Sequence, residues 1–141
     1  MQANRSIPSS PVMPELAYPD VASAAAWLCE AFGFRERLRI GNHRVQLTFG
    51  AGALVVIEAP PREPMARVPA HGVLVRVDDV DAHCVRARGA GATIVAEPRS
   101  YPYGERQYSA IDPAGHRWTF SQTIADIDPA EWGGMLVDRD A

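Results

Sequence analysis

Residues 106–121 read RQYSAI-DPAG-HRWTFS, two strand-like runs joined by a four-residue turn. Runs that contain aromatic and β-branched residues on either side of an Asp-Pro-Ala-Gly turn predict a β-hairpin. A similar pattern stands earlier in the chain, at residues 44–58, where RVQLTF and ALVVIE flank a Gly-Ala-Gly turn. The chain therefore contains two hairpins of similar design.

Each hairpin follows an alanine-rich segment, and the two segments begin in the same way. Tyr18-Pro19-Asp20-Val21 opens the first segment and Val77-Asp78-Asp79-Val80 opens the second. Asp20 and Asp79 are expected helix N-caps, because their carboxylates can accept from free backbone N–H groups. Apolar residues then recur at helical spacing. With the strands around them, the segments predict a strand–helix–three-strand unit that occurs twice, roughly 60 residues apart.

The same patterns set the expected boundaries. The Ser/Pro-rich residues 1–12 predict a flexible tail, and residues 13–125 predict one domain. This domain divides into a first module at 13–58, a proline-rich linker at 59–70 and a second module at 71–122. Residues 126–141 predict a short helix and a tail, because Asp128-Pro129-Ala130-Glu131 combines an N-cap, an N1 proline and an N3 glutamate.

Composition excludes several classes of function. The 141 residues are 47% apolar, which suits one compact domain, and the net charge of −3 offers no basic surface for nucleic acid. No apolar run approaches the ~20 residues of a membrane span, and no signal peptide is apparent, so we expect a cytoplasmic protein. The two cysteines, Cys29 and Cys84, fall in the predicted helices and are expected to be reduced thiols.

The repeated unit resembles the vicinal oxygen chelate superfamily, the group of glyoxalase I, bleomycin-resistance proteins and extradiol dioxygenases. The resemblance covers residues 13–122, and its strongest motif is Ile111-Asp112-Pro113-Ala114-Gly115-His116-Arg117-Trp118. Weaker matches are Tyr18-Pro19-Asp20-Val21, Phe32-Gly33-Phe34, Val75-Arg76-Val77-Asp78-Asp79-Val80 and Tyr103-Gly104-Glu105-Arg106. The resemblance implies an α+β fold of two tandem βαβββ modules with curved, cup-like mixed sheets. It also implies a homodimer with a small molecule in the cup.

The resemblance further implies where a metal would bind. In catalytic members, side chains at four strand positions hold a divalent ion, and here these positions fall on Met13, Glu58, Gly72 and Thr119. A catalytic ion needs about three N or O ligands, and Glu58 alone supplies one of the usual kind. We therefore expect no cofactor. The alternative is a divalent metal held by Glu58 and His71, the residue before Gly72.

Strand alternation predicts a cup lined by apolar and charged side chains. The expected set is Met13, Glu15, Ala17, Leu54, Val56, Glu58, Leu74, Arg76, Arg117, Thr119 and Ser121. The acids and arginines in this set either form structural ion pairs or leave an arginine to bind an acidic ligand group. Tyr101 and Tyr103 are expected either at the mouth of the cup or over a sheet edge. Trp118 and Phe120 are expected in the core.

Three further histidines are not expected to bind a metal or a ligand. His43, in a turn, and His83, on a helix, are expected to be solvated. His116 is expected to brace the turn that precedes it. No H-E-x-x-H or G-x-S-x-G motif and no phosphate-binding glycine loop occurs in the sequence.

These observations predict a protein that binds a small amphipathic molecule in a metal-free cup, as in the sequestration of a drug or metabolite. The expected ligand-binding residues are Met13, Glu15, Glu58, Leu74, Arg76, Tyr101, Tyr103, Arg117 and Thr119. Enzymatic alternatives stay open at this point: a metal-dependent lyase or dioxygenase that uses His71 and Glu58, or a metal-free isomerase with Glu58 or Glu15 as base. A structural interaction module without a ligand is a third class.

Overall fold

The computed structural model describes residues 3–59 and 71–136. Most of the predicted linker, residues 60–70, lies outside the described residues. The chain forms the predicted unit twice and then a 3-10 helix. The elements are β1 (Glu15–Tyr18), α1 (Val21–Phe32), β2 (Arg35–Ile40), β3 (Arg44–Phe49), β4 (Gly52–Glu58), β5 (Gly72–Arg76), α2 (Val80–Gly89), β6 (Thr93–Ser100), β7 (Glu105–Ile111), β8 (Arg117–Thr123) and the 3-10 helix Pro129–Trp132.

The two modules form separate four-stranded sheets with the same topology. The strand order is β1-β4-β3-β2 in the first sheet and β5-β8-β7-β6 in the second. In each sheet the first and last strands of the module run parallel, and the other neighbours are antiparallel. The expected α+β fold of two tandem βαβββ modules is confirmed.

Both helices begin at the predicted aspartates. Asp20 accepts from the backbone N–H of Ser23 at 3.1 Å, and Asp79 accepts from that of Ala82 at 3.1 Å. Helix α1 ends at Gly33. In the described part of the chain, no helix has the length and apolar character needed to cross a membrane.

One hydrophobic core joins the two modules. Phe32, at the end of α1, contacts Trp118 and Phe120 of β8 with ring centroids 5.2 and 4.8 Å apart. All three are fully buried, as predicted for the two β8 residues. Leu54 and Val56, which were expected to line the cup, lie in this core instead, with 2% and 0% of their surface exposed.

The Asp-Pro-Ala-Gly turn also joins the modules, through the buried carboxylate of Asp112. Its Oδ1 accepts from the backbone N–H groups of Ala114 and His116, each at 3.0 Å. Its Oδ2 accepts from the Tyr18 hydroxyl at 2.6 Å and from the Trp118 indole N–H at 3.1 Å. Burial, and then the nearby Asp112 carboxylate, raise the pKa of Tyr18. Because Tyr18 belongs to β1, the turn of the second module is anchored to the first.

His116 forms a second link at this turn. It was expected to brace the turn, and its backbone N–H does so by donating to Asp112. Its ring is buried beside Tyr18, at a centroid distance of 4.7 Å, and Nε2 donates to the carbonyl of Ala17 at 2.7 Å. His116 therefore connects the second hairpin to strand β1.

His83 lies between the modules, so the prediction of a solvated side chain is wrong. Its Nε2 lies 2.8 Å from the carbonyl of Phe32, and its Nδ1 lies 2.5 Å from the hydroxyl of Tyr108. A carbonyl can only accept, so Nε2 carries the proton and Nδ1 of the neutral ring accepts from Tyr108. The two partners belong to α1 and β7, so the sequence of α2 alone could not predict these hydrogen bonds.

Burial lowers the pKa of His83, and this predicts a dependence of stability on pH. The unfolded chain takes up a proton at this residue near pH 6.5, whereas the folded chain does so only at lower pH. We expect the contribution of the neutral ring to be complete above pH 6.5 and to be lost as the pH falls below it. Urea unfolding between pH 7.5 and 5 should show this loss. The loss should be smaller in His83→Gln, and an unchanged pH profile in that variant would contradict the assignment.

Candidate functional site

The face of each sheet opposite its helix is called the cup face here. In the first sheet, Glu15 and Ala17 of β1 pair with Val55 and Ile57 of β4, and these residues alternate with core residues such as Leu16. Glu15 and Ala17 therefore lie on the cup face, as predicted. The β4 residues on this face are Val55 and Ile57, not the even-numbered residues that alternation from Glu58 suggested.

The cup face of the second sheet agrees with the prediction. Leu74 and Arg76 of β5 pair with Thr119 and Ser121 of β8, and Gly72 pairs with Arg117. These residues alternate with the buried Trp118 and Phe120. Leu74 is 64% exposed, an apolar side chain on the open face of a sheet.

Five polar side chains form a hydrogen-bonded strip across β7 and β8 on this cup face. Ser109 and Thr119 join their hydroxyls at 3.0 Å. Gln107 Nε2 donates to Ser121 Oγ at 3.0 Å, and Ser121 Oγ donates to Glu105 Oε1 at 2.7 Å. We call Glu105, Gln107, Ser109, Thr119 and Ser121 the polar strip. Ser109 and Ser121 are buried and the other three are half-buried. Their mutual hydrogen bonds hold donors and acceptors in fixed positions.

Two arginines flank the polar strip. Arg76 Nη2 donates to the Thr123 hydroxyl at 3.0 Å, and both Arg76 and Arg117 are exposed. Within residues 3–59 and 71–136, neither guanidinium lies within salt-bridge distance of a carboxylate. Their positive charges are thus available to an acidic group outside this part of the chain, which a guanidinium can bind through two parallel hydrogen bonds.

An aromatic stack lies at one end of the polar strip. The hydroxyl of Tyr103 donates to Gln107 Oε1 at 3.2 Å. Tyr101 and Tyr103 stack at 5.3 Å with an interplanar angle of 12°, and Trp132 lies 5.3 Å from Tyr103. The guanidinium carbon of Arg99 lies 5.0 Å from the centre of the Tyr101 ring. Sequence reasoning found the two tyrosines but missed Arg99 and the position of Trp132, because the contacts come from separate elements.

A groove of about 990 Å³ runs between the modules along the edge of β5, beside the polar strip, whose five residues do not line it. Leu74 and Arg76 line it from β5, and Pro14 and Leu54 line it from the first module. Phe32, at the end of α1, also lines it. The volume is at the upper end of the range for small-molecule sites, and aromatic and aliphatic side chains with a few polar groups are typical of such sites.

Met13 and Glu15 line a separate cavity of about 270 Å³ on the first cup face. Glu15 Oε2 is 3.1 Å from Arg44 Nη2 in an exposed ion pair. All residues that line this cavity belong to the first module or to the segment before it. The described chain therefore does not bring Met13 and Glu15 together with Arg117 and Thr119 in this cavity.

The carboxylate of Glu58 lies apart from the other expected metal positions. Glu58 pairs with Tyr18 in the sheet. It is two residues after the core residue Val56 and so belongs to the same side of β4, opposite the cup face. Its Oε2 lies 3.2 Å from Nδ1 of His43, which is exposed, as expected, but has this carboxylate as a neighbour. The β4 residues next to β1 on the cup face are Val55, opposite Glu15, and Ile57, opposite Ala17.

His71, the alternative ligand, is exposed and immediately precedes β5. It is two residues before Val73 and so belongs to the side of the strand opposite the cup face. Its ring lies 6.3 Å from that of His116. At the other three positions, Met13 offers a thioether, Thr119 offers a hydroxyl, and Gly72 has no side chain to offer. This set does not fit a divalent ion of the family's kind, which requires imidazole and carboxylate ligands.

Comparisons with known proteins agree with this architecture. The family model described as Glyoxalase/Bleomycin resistance protein/Dioxygenase superfamily matches residues 11–120. The crystal structure of TioX from Micromonospora sp. ML1 is 39% identical, with a TM-score of 0.67, and the match covers 82% of this chain and 99% of TioX. A fosfomycin resistance protein, FosX from Listeria monocytogenes, is 14% identical over 82% of this chain and 94% of its own, with a TM-score of 0.66, and shows the fold alone.

Among curated proteins, an uncharacterised protein of Mycobacterium bovis is 38% identical over 55 residues, which are 39% of this chain and 36% of that protein. A protein of Mycobacterium tuberculosis matches the same length at the same identity, over 32% of its own chain. The chain thus spans about a third of the length of the curated relatives it matches. The family model and the TioX match both extend over most of the sequence, and the chain belongs to the glyoxalase/bleomycin resistance protein/dioxygenase superfamily.

Proposed function

We propose that this protein binds a small amphipathic molecule against the cup face of its second sheet, without a metal ion and without chemical conversion of the ligand. The observation that carries the proposal is the polar strip, a fixed set of hydrogen-bonding groups beside the exposed side chain of Leu74. A site of this composition can bind the polar part of a ligand on the strip and its apolar part on Leu74 and the groove.

The two arginines favour a ligand with an acidic group. Arg76 and Arg117 flank the strip and have no carboxylate partner among the described residues. A carboxylate bound by one of them gains charge-assisted hydrogen bonds that a neutral amide does not. The stacked pair of Tyr101 and Tyr103 at the end of the strip favours a planar apolar part.

A homodimer would complete the cup. The two sheets share no strand pairing in the described chain, and Glu15 and Leu74, on their cup faces, are exposed. β1 and β5 are edge strands, and such edges are usually paired or covered. We infer that the first module of one chain faces the second module of its partner, so that Met13 and Glu15 oppose Leu74 and Thr119.

A matched pair of ligands tests the role of Arg76. We expect aromatic carboxylates such as 2-naphthoate to bind more tightly than the corresponding amides, and Arg76→Gln to weaken carboxylate binding about tenfold or more while leaving amide binding unchanged. Isothermal titration calorimetry measures both affinities. Arg88→Gln, which removes a charge from α2, is the control and should bind like the unmodified chain.

Two results would contradict the proposal. One is a panel of aromatic carboxylates in which no compound raises the melting temperature. The other is stoichiometric metal in the purified protein, with ligand binding that is lost after chelation and restored by the metal.

A further inference from the structure

The segment before β1 lies on the cup face of the first sheet. Gln46 Nε2 donates to the carbonyl of Ser6 at 2.8 Å, and Arg37 Nη2 donates to the carbonyl of Arg5 at 3.0 Å. Pro8 is buried, although this part of the chain contains no helix or strand. The flexibility expected for the N-terminal tail stays a prediction, but the described part of that tail is held by two side chains of the sheet.

The two donors are held in place by each other. Gln46 is on the inner strand β3 and is 5% exposed, and its Oε1 accepts from Arg37 Nη1 at 2.6 Å. Because a guanidinium only donates, the amide oxygen must face Arg37, and the amide N–H must then face Ser6. Arg37 is the extra residue where the β2–β3 register shifts between Glu36 and Leu38. Such bulges redirect side chains, and this one lets Arg37 reach Gln46.

The hydrogen bonds that Gln46 and Arg37 donate to the tail both end at its backbone. The acceptors are two consecutive peptide carbonyls, which any peptide offers whatever its side chains are. The tail also fills the site only in part, since the 270 Å³ cavity remains beside it. This cavity is lined by Ser6 and Ile7 of the tail and by Met13, Glu15, Ile40, Arg44, Gln46 and Val55. The chemistry of the site therefore suits an extended ligand with amide groups.

We propose that Arg37 and Gln46 form an amide-carbonyl subsite of the cup, which residues 5 and 6 occupy until a peptide-like ligand displaces them. The inference rests on the proposed function and narrows its ligand to compounds with two consecutive amide carbonyls, such as a short peptide. The tail is tethered at β1, so its local concentration is high and a free ligand must compete with it. The tail thereby lowers the apparent affinity of the subsite for that ligand.

A peptide with the sequence of residues 3–10, acetyl-ANRSIPSS-amide, is a direct probe of the subsite. In the full chain, Pro8→Asp disfavours docking of the tail because it would bury a charge. We expect this variant to bind the probe about tenfold more tightly than the unmodified chain, as measured by calorimetry. Adding Gln46→Glu keeps the acceptor for Arg37 but removes the donor to the carbonyl, and binding of the probe should be lost. Arg37→Gln in the Pro8→Asp background should weaken it as well.

Equal affinity of the unmodified chain and Pro8→Asp for the probe, or no binding to either, would overturn the role of the tail as occupant. Probe binding that survives Gln46→Glu would overturn the subsite itself. Circular dichroism should show that the variants are folded as the unmodified chain is. Arg76→Gln separates the two proposals, since it should weaken carboxylate binding and leave binding of the probe unchanged.

Discussion

Replacing Asp112 by alanine is expected to lower the free energy of unfolding by about 3–5 kcal/mol, the largest loss we expect from a single substitution that removes a polar group. The carboxylate accepts four hydrogen bonds, two from the backbone of its own turn and two from the side chains of Tyr18 and Trp118. Asp112 is 3% exposed, so the donors left behind in the variant have little access to water. An unpaired buried donor costs about 1–3 kcal/mol.

Two further substitutions separate the parts of this effect. Asp112→Asn keeps an oxygen for the backbone donors but turns an N–H toward Trp118, whose indole N–H cannot accept. Its cost should lie between that of the alanine variant and that of Tyr18→Phe, which removes one hydrogen bond and should cost about 1–2 kcal/mol. Urea unfolding at pH 7.5 measures all three. A loss in Asp112→Ala no larger than that in Tyr18→Phe would show that the carboxylate does not anchor the turn.

The sequence predicted the fold because local patterns and the repeat agree. The second cup face could be predicted as well, since polar and aromatic residues alternate strictly along β8, where Arg117, Thr119 and Ser121 separate Trp118 from Phe120. Strand β4 gave no such guide. Its residues 53–57 are apolar on both faces, so alternation does not show which face is buried, and a cup face that includes Glu58 also includes the core residues Leu54 and Val56.

The other wrong or missing predictions concern contacts between one helix or strand and another. The pattern of α2 alone places His83 on the helix surface, whereas in the structure its hydrogen bonds to Phe32 and Tyr108 hold it half-buried between the modules. The Arg37–Gln46 pair depends on a bulge in β2, for which the sequence RERLRI contains no glycine or other signal. Hydrogen bonds between side chains of different elements cannot be predicted from the spacing of apolar residues along one strand or helix.

Gly104 is the position where a small change should most disturb the aromatic end of the site. Its φ is +84°, and a Cβ added there would lie well inside van der Waals contact with the carbonyl oxygen of Ala125. The clash is with backbone and cannot be relieved by rotating a side chain. The turn is also held by Gly104 itself, whose N–H donates to Tyr101 O at 3.1 Å and whose carbonyl accepts from Ile124 N–H at 2.8 Å.

We therefore expect Gly104→Ala to lower the free energy of unfolding by about 3 kcal/mol, because left-handed backbone costs a non-glycine residue about 1–2 kcal/mol and overpacking adds a similar amount. Gly91→Ala is a matched control, since Gly91 has a φ of +94° and open space around its Cβ position. It should lose about 1 kcal/mol. Because Gly104 follows Tyr103, its substitution should also move that ring from Gln107 and weaken the binding of aromatic ligands, whereas Gly91→Ala should bind them normally. Equal losses of stability in the two variants in urea unfolding would mean that the loop yields to the added methyl group, and the tyrosines would then not be held as the structure shows them.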